Sequence, residues 1–353
     1  MSGVASHKKV FEDISKGDKK LKKGSTVVKD PLARTKLLGS VKKSTKLKKV
    51  SKPNAGLSRA QKHAFNRARA EKKGESFVEK LDEEGLRFFN HVTDQKFSDQ
   101  AIAFLNAYWH EVGSQADFIY SVAWDTFKYA DMHARGINYV HKYKQGSKLE
   151  FDIGLYFYER LCKFLGESKN KQWKDEKFAV SQPKLMTAVA RKKELRLIDV
   201  NFDNQMAMIE YLLYQYREFA NPSDFVTRAM SQDEHPEVRK ARLALEEVNR
   251  RIQAYEAEKQ RLTDESKKSG VKGLTAKNML AQLEAGPLWE KLQAALITAE
   301  AAVRIATKKY GGGKFISDGK SSGKAIGSNQ GSIWWLNRDL AEKKKKYGRR
   351  AKK

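Results

Sequence analysis

From Phe77 onward, large apolar residues recur three and four positions apart. Leu81, Leu86 and Phe88-Phe89 lead into Ala101–Trp109, Phe118–Tyr129 and Phe151–Leu165. That spacing puts the apolar residues on one face of a helix; strands would need alternation, and no convincing series of strands is present. Short polar or glycine-bearing breaks separate the stretches: Thr93–Ser98, Val112–Gln115 and Gln145-Gly146-Ser147. The aromatic residues Phe104, Tyr108, Trp109, Phe118, Tyr120, Trp124, Phe127 and Tyr129 fall at helical spacing and are expected to be core rather than a ligand cage. The pattern predicts an all-α fold.

Farther along, Asp233-Glu234-His235 precedes Pro236, a residue suited to the first turn of a helix. Val238, Ala241, Leu245, Val248, Ile252, Tyr255, Lys259 and Leu262 then follow in alternating steps of three and four. That is a heptad seam interrupted once, at Lys259. Leu288, Leu292, Ala295, Ala299, Ala302 and Ala306 form a second seam whose alanines allow close approach. Breaks at Ser269-Gly270, Gly273 and Gly286-Pro287 lie between them, so a long antiparallel helical hairpin over 236–310 is expected, with a dimeric coiled coil as the alternative. Residues 311–332 contain seven Gly and five Ser and read as a flexible linker. Ile333-Trp334-Trp335-Leu336 beyond it reads as a docking segment, for the body or for a partner, followed by a basic tail.

Charge divides the chain in a way the apolar pattern does not. The 353 residues carry 70 Lys+Arg against 43 Asp+Glu, a formal net charge of +27. Residues 1–74 account for +17 and 341–353 for +7, leaving 75–340 near neutral. So large a positive charge attracts polyanions over long range without naming one. The arm 1–74 is poor in apolar residues and is expected to be disordered when free. The chain is 40% apolar, enough for a sizeable core. The single cysteine, Cys162, excludes an internal disulfide and points to a reducing compartment. No leader-like or bilayer-length apolar run is seen, so secretion and membrane spanning are not expected.

One segment carries recognisable chemistry. Asp199-Val-Asn201-Phe-Asp203-Asn204-Gln205-Met-Ala207-Met-Ile-Glu210 has the ligand order of an EF-hand loop. Calcium (Ca2+) takes six to eight oxygens, and a twelve-residue loop supplies them at fixed offsets. Asp199, Asn201 and Asp203 would contribute side-chain oxygens, Gln205 its carbonyl, and Glu210 a bidentate clamp; Ala207, at the ninth place, would leave its position to water. The sixth place usually holds Gly at positive φ, and here it holds Asn204, the residue that best tolerates that conformation. Weakened rather than lost binding is expected, about 10⁻⁶–10⁻⁴ M. Leu185, Met186, Val189 and Ala190 are read as the apolar lead-in and Ile209, Leu212, Leu213 and Tyr216 as the lead-out. Because such loops pair, 141–152 is the candidate partner. It has Gly146 and Asp152 but His141, Tyr143 and Gln145 where carboxylates belong, so it is expected to buttress its neighbour and not to hold calcium.

Catalytic patterns fail on context. Gly319-Lys-Ser321-Ser-Gly323 spells a nucleophile elbow, but it stands in the Gly/Ser linker with no strand before it. The Gly313–Ser321 run is one residue too long for a phosphate loop. The seven histidines have no zinc spacing. Neither an enzyme nor a small-molecule substrate is expected.

Longer blocks carry a resemblance. Phe104–Val112, Phe118–His133, Tyr211–Pro222, Asp233–Asn249, Asn278–Gln282 and Ile333–Lys344 are similar to the calcium-regulated actin-bundling protein family. The resemblance runs from about Phe77 to the C-terminus. It implies crosslinking of F-actin inhibited by calcium, two EF-hand-like units, calcium ligands at Asp199, Asn201, Asp203 and Glu210, and a place in the cytoplasm on the cytoskeleton. It does not reach the basic extension.

The expected organisation is therefore a basic arm (1–74), a helical region with a degenerate EF-hand-like unit (75–180), an EF-hand with its loop at 199–210 (181–235), the hairpin (236–310), the linker (311–332) and the Trp-Trp segment with its tail (333–353). Actin is acidic, so Arg239, Lys240, Arg242, Arg250, Arg251, Lys343 and Lys344 are candidate contacts. The alternative function is a microtubule-associated or RNA-binding assembly protein acting through the arm. RNA is disfavoured because the arm's aromatics are Phe11 and Phe65 alone, too few for base stacking.

Overall fold

Asp82 starts the first helix among the described residues by accepting a hydrogen bond from the Gly85 amide at 2.6 Å, a side-chain cap for a donor the helix cannot satisfy itself. The structure is a computed structural model describing residues 81–231, 233–310 and 329–348. The basic arm, the linker through residue 328 and the last five residues lie outside the described residues. Helices α1 (Glu83–Thr93) and α2 (Phe97–Ala107) are followed by short turns, a wide π-type segment at Ile119–Trp124 and α3 (Asp125–Ala134). Strand β1 (Lys148–Glu150) leads directly into α4 (Phe151–Gly166), and two 3-10 segments, Ser168–Lys174 and Glu176–Ser181, lead toward α5 (Ala188–Ile198). Strand β2 (Gln205–Ala207) then runs into α6 (Met208–Gln215), and α7 (Phe225–Met230) completes the body.

Phe97, Phe104, Phe118, Phe127, Phe157, Tyr211 and Phe225 fill the body's core, each essentially buried. Of the aromatic stripe expected to be core, Phe104, Tyr108, Phe118, Tyr120 and Phe127 are buried, and Trp109 and Trp124 partly so. Tyr129 departs from the expectation. It is nearly half exposed and packs parallel to Tyr156 at 6.4 Å beneath Arg160.

The hairpin is built from three helices. The 31-residue α8 (Pro236–Ser266), about 46 Å long, is met by α9 (Val271–Gln282) and then by α10 (Pro287–Tyr310). Val238, Ala241, Leu245, Val248, Tyr255 and Leu262 are buried against Leu292, Leu296, Ala299, Val303 and Ala306. The seam is thus closed within the chain. On α10 the buried positions again step by four and three, but Leu296 and Val303 hold the places read as Ala295 and Ala302, which are only half-buried, as is Leu288; the larger side chains turn the inward stripe by one position. His235 stacks on Tyr310 at 4.1 Å and ties the start of α8 to the end of α10.

The last helix, α11 (Gln330–Tyr347), begins three residues earlier than the expected end of the linker, so Gln330-Gly331-Ser332 form its first turn. Its two faces belong to two cores. Trp335 enters the body, 4.9 Å from Tyr120 and 5.0 Å from Trp124, while Ile333, Leu336, Leu340 and Tyr347 are buried in the hairpin. Trp334 lies 6.3 Å from both Trp109 and Tyr120. The tryptophan pair therefore docks within its own chain. Burying each such side chain contributes roughly 1.5–3 kcal/mol, which makes α11 a strong bridge between body and hairpin.

Candidate metal centre

Between α5 and α6 the chain closes on itself through its own carboxylates. Asp199 Oδ1 accepts from the Asp203 amide at 3.0 Å and Oδ2 from the Asn204 amide at 2.9 Å. Asn201 Oδ1 accepts from the Asp203 amide at 3.2 Å, and Asp203 Oδ1 from the Gln205 amide at 2.9 Å. Asn204 has φ +61°, the left-handed turn expected at the sixth place, and the fourth place, Phe202, has φ +55°. A bulky residue is rarely found there and carries strain. Glu210 staples both ends of the loop: Oε1 accepts from the Val200 amide at 2.9 Å, and Oε2 from the Ala207 amide at 2.8 Å.

Burial makes this loop electrostatically costly by itself. Asp199 is 5% exposed and Glu210 1%. Loss of water, with the charge of Asp203 adding to it, pushes the Asp199 carboxyl up to about 8. Burial, followed by the charges of Asp199 and Asp203, raises Glu210 well above the carboxylate range. As they stand, no three His, Cys, Asp or Glu side chains among the described residues are placed to hold a metal ion. The donor set is nevertheless all oxygen, the backbone already has its turns, and the mutual repulsion of three acids favours a cation. These properties fit a hard divalent ion.

The entering helix differs from its sequence reading. Leu185, Met186 and Val189 are exposed, Leu185 at 88%. Thr187 caps α5 by accepting from the Ala190 amide at 3.3 Å, so the inward face falls on Arg191, Leu195 and Ile198. Arg191 pairs with Glu194, donates to the Lys184 carbonyl and lies over the Tyr158 ring at 3.8 Å, which together account for a buried cation. The exit is as expected: Ile209, Leu212, Leu213 and Tyr216 are all buried.

The 141–152 loop lies antiparallel against its neighbour, with Lys148 opposite Ala207, Leu149 opposite Met206 and Glu150 opposite Gln205. Met206 is the eighth place of its loop, while its partner Leu149 is ninth counted from His141, so the two loops are one residue out of step. A protein carboxylate organises the first loop. Asp131 on α3 accepts from Tyr143 Oη at 2.8 Å and from the Gly146 amide at 3.0 Å, and pairs with Arg135 at 2.8 Å. A Cβ on Gly146 would sit 2.4 Å from Arg135 Nη2 and 2.7 Å from Asp131 Oδ2, so a larger residue here would have to displace this ion pair. Asp152, read as the loop's terminal acid, instead points outward, with its side chain 85% exposed and 3.3 Å from Lys192.

Several residues tie the second loop to the corner between α1 and α2, and the ligand pattern alone marked none of them. Asn201 Nδ2 donates to Asn90 Oδ1 at 2.9 Å. Buried Gln100 donates to the carbonyls of Thr93, Gln95 and Ser147 at 3.1, 2.8 and 2.7 Å, and accepts from the Ile209 amide at 3.0 Å. Lys148 Nζ lies 2.8 Å from Asp203 Oδ2 and 2.8 Å from Asp94 Oδ1. Burial alone would lower its pKa, and the two carboxylates outweigh burial and raise it. A lysine inside a loop otherwise short of ligands was the available sequence signal.

The basic candidates on the hairpin and α11 are scattered and mostly paired. Arg242 forks onto Glu234 at 2.9 Å, Arg250 and Arg251 share Glu247, and Lys240 lies 3.7 Å from Glu237. Lys344 reaches Glu300 at 2.7 Å, and Arg239 is exposed. Exposed pairs of this kind hold their cations weakly. Lys343 differs: its side chain is 13% exposed and bonded to Asp339, which also accepts from Tyr120 Oη at 3.1 Å. It is the least available of the set.

A helical body with two loops joined by a short β pair, bridged by α11 to a long helical hairpin, defines an all-helical two-part protein with one acidic loop. The family described as F actin bundling C terminal matches residues 205–318. A calcium-regulated actin-bundling protein of Dictyostelium discoideum is 60% identical over 278 residues, which cover 78% of this chain and 93% of that protein. The crystal structure of a 34 kDa F-actin bundling protein from the same organism, 58% identical, superposes with a TM-score of 0.71, covering 77% of this chain and all of the other. The chain belongs to the calcium-regulated actin-bundling protein family.

Proposed function

We propose that the chain crosslinks actin filaments in the cytoplasm and that calcium at Asp199–Glu210 lowers this activity. The relatives, a calcium-regulated actin-bundling protein and an F-actin bundling protein, support bundling and calcium regulation and are crosslinkers rather than catalysts. The observation that carries the regulatory part is the pre-turned loop with three repelling carboxylates, two of them buried with raised pKa values. Asp199, Asn201, Asp203, the Gln205 carbonyl and Glu210 would hold the ion. Calcium supplies charge neutralisation there and draws the ligands inward. Bundling needs two filament sites per particle, in one chain or through a dimer.

The route from loop to filament runs through the α1–α2 corner. Helix α6 is buried along most of its length and has little freedom to reorient. The corner, in contrast, touches the loop through Asn90 and Gln100 and the hairpin through Lys96, whose Nζ lies 3.2 Å from Glu246. A shift of Asn201 therefore has a polar path to α8. Low- and high-speed sedimentation of actin with this chain, in calcium or chelator, tests the reading. Glu210→Gln should bundle in both conditions; if it keeps the full calcium response, the switch lies elsewhere.

A further inference from the structure

The calcium ligand Asp203 already has a cation on its second oxygen, and that cation comes from the other loop. Lys148 reaches it from β1, where backbone pairing sets this residue opposite Ala207. Ala207 is the ligand place that has no side-chain oxygen. The Lys148 side chain is 6% exposed and those of Asp203 and Asp94 10% and 49%, so the Asp203 contact is sheltered while Asp94 faces water. Both N–O distances are 2.8 Å, the length of charge-assisted hydrogen bonds.

The geometry points to Lys148 as a tethered counter-ion that competes with calcium for Asp203 and sets the affinity of the second loop from the first. This inference rests on the reading of 199–210 as the calcium loop. When calcium recruits Asp203, the ammonium loses one of its two carboxylates and also meets a divalent charge a few ångströms away. It is then held by Asp94 alone, at the C-terminal cap of α1. The two loops are thereby coupled by charge as well as by their β pairing. Calcium entry shifts the lysine toward the same α1–α2 corner that receives Asn201 through Asn90 and the Ile209 amide through Gln100. A loop that cannot bind calcium itself thus tunes the one that can.

Removing the ammonium should therefore tighten calcium binding. A unit charge about 5 Å from a divalent ion corresponds to about a tenfold change in affinity even when screened as in bulk water, and the lower dielectric of a protein surface enlarges it. The experiment is calcium titration of the full chain by calorimetry and by competition with a fluorescent chelator. It compares the natural protein with Lys148→Met and with Lys148→Gln, which keeps a hydrogen-bond donor without the charge. Both variants should bind about tenfold more tightly or better. Their thermal midpoints should fall in chelator and recover in saturating calcium, because Asp203 loses its partner in the first condition alone. Circular dichroism establishes that each variant is folded; if Met at this site prevents folding, the Gln variant decides. Equal or weaker binding by a folded variant overturns the role of Lys148 while leaving the calcium loop intact. Absence of binding by the natural protein and both variants overturns the loop reading itself. Binding by the variants alone supports the competition.

Discussion

Asn106 and Ser332, 226 residues apart, hold one another through two hydrogen bonds: the Ser332 amide donates to Asn106 Oδ1 at 2.8 Å, and Asn106 Nδ2 donates to Ser332 Oγ at 2.9 Å. They fasten the first turn of α11 to α2. Beside them the backbones nearly touch, since a Cβ on Gly331 would lie 2.6 Å from the Leu105 carbonyl carbon and 2.7 Å from the Asn106 nitrogen. No side chain fits, and neither backbone can move without opening the joint between body and hairpin.

Gly331→Val should accordingly lift α11 from α2. Overpacking of this kind costs about 1–3 kcal/mol or more. Tryptophan emission should shift to the red as Trp334 and Trp335 leave Trp109, Tyr120 and Trp124, and the thermal midpoint should drop. Asn106→Ala leaves the Ser332 amide unpaired and should cost about 1–3 kcal/mol with a smaller spectral change. Unchanged emission in the valine variant would contradict the backbone contact.

Asn204→Gly tests the turn at the sixth loop position. At φ +61° glycine relieves the remaining left-handed strain but gains freedom in the unfolded chain. Stability should stay within about 1 kcal/mol, while calcium affinity rises a few-fold because the turn is easier to hold in the bound geometry. Calorimetric titration reads both the affinity and the binding enthalpy.

Asp199 is held near 8 and Glu210 well above its usual value, against about 4 in an unfolded chain. Raised carboxyl pKa values mean that the folded state binds more protons than the unfolded one. Their contribution to stability is therefore greatest at low pH and is lost as pH rises toward 8. Calcium needs the carboxylates ionised, so its affinity should increase between about pH 6 and 8 with release of protons. Calorimetry in two buffers of different ionisation heat measures that release. An affinity independent of pH over this interval would refute the buried acidic loop as the binding site.

Arg239 and Lys240 are exposed at the start of α8, so Arg239→Glu with Lys240→Glu should leave the thermal midpoint almost unchanged while weakening co-sedimentation with actin. Lys343→Ala should do the reverse. It removes a partner of Asp339 beneath Tyr120 and should lower stability more than filament binding. Both contrasts can be read from one set of melts and pelleting assays.

Apolar periodicity was sufficient for the helices, because burial of one face is a local property repeated every turn. It placed the α8 seam on the residues that are buried, and the break at Gly286-Pro287 where α10 begins. It failed at α5, where the Thr187 cap delayed the helix and turned Leu185 and Val189 outward. The turn at 199–210 was also legible, since its Asp and Asn side chains accept from backbone amides only two to five residues away. What surrounds the loop was not legible. Lys148 reaches Asp203 across a β pair, Asn90 and Gln100 approach from α1 and α2, and Asp131 stands in as the organising charge of the first loop. Contacts between residues dozens to hundreds of positions apart leave no spacing to read.

The same division holds for the tryptophans near the C-terminus. Composition marked Trp334-Trp335 as apolar anchors beyond a Gly/Ser stretch, but their partner lay in the geometry of Trp109, Tyr120 and Trp124, which only packing brings together. By itself the sequence determined the all-helical class, the seam of α8 and the unequal distribution of charge, because each follows from periodicity or from adjacent residues. Tertiary structure decided that α11 joins body to hairpin and that the acidic loop leans on the α1–α2 corner. Those outcomes depend on which complementary surfaces and opposite charges meet once the helices have folded.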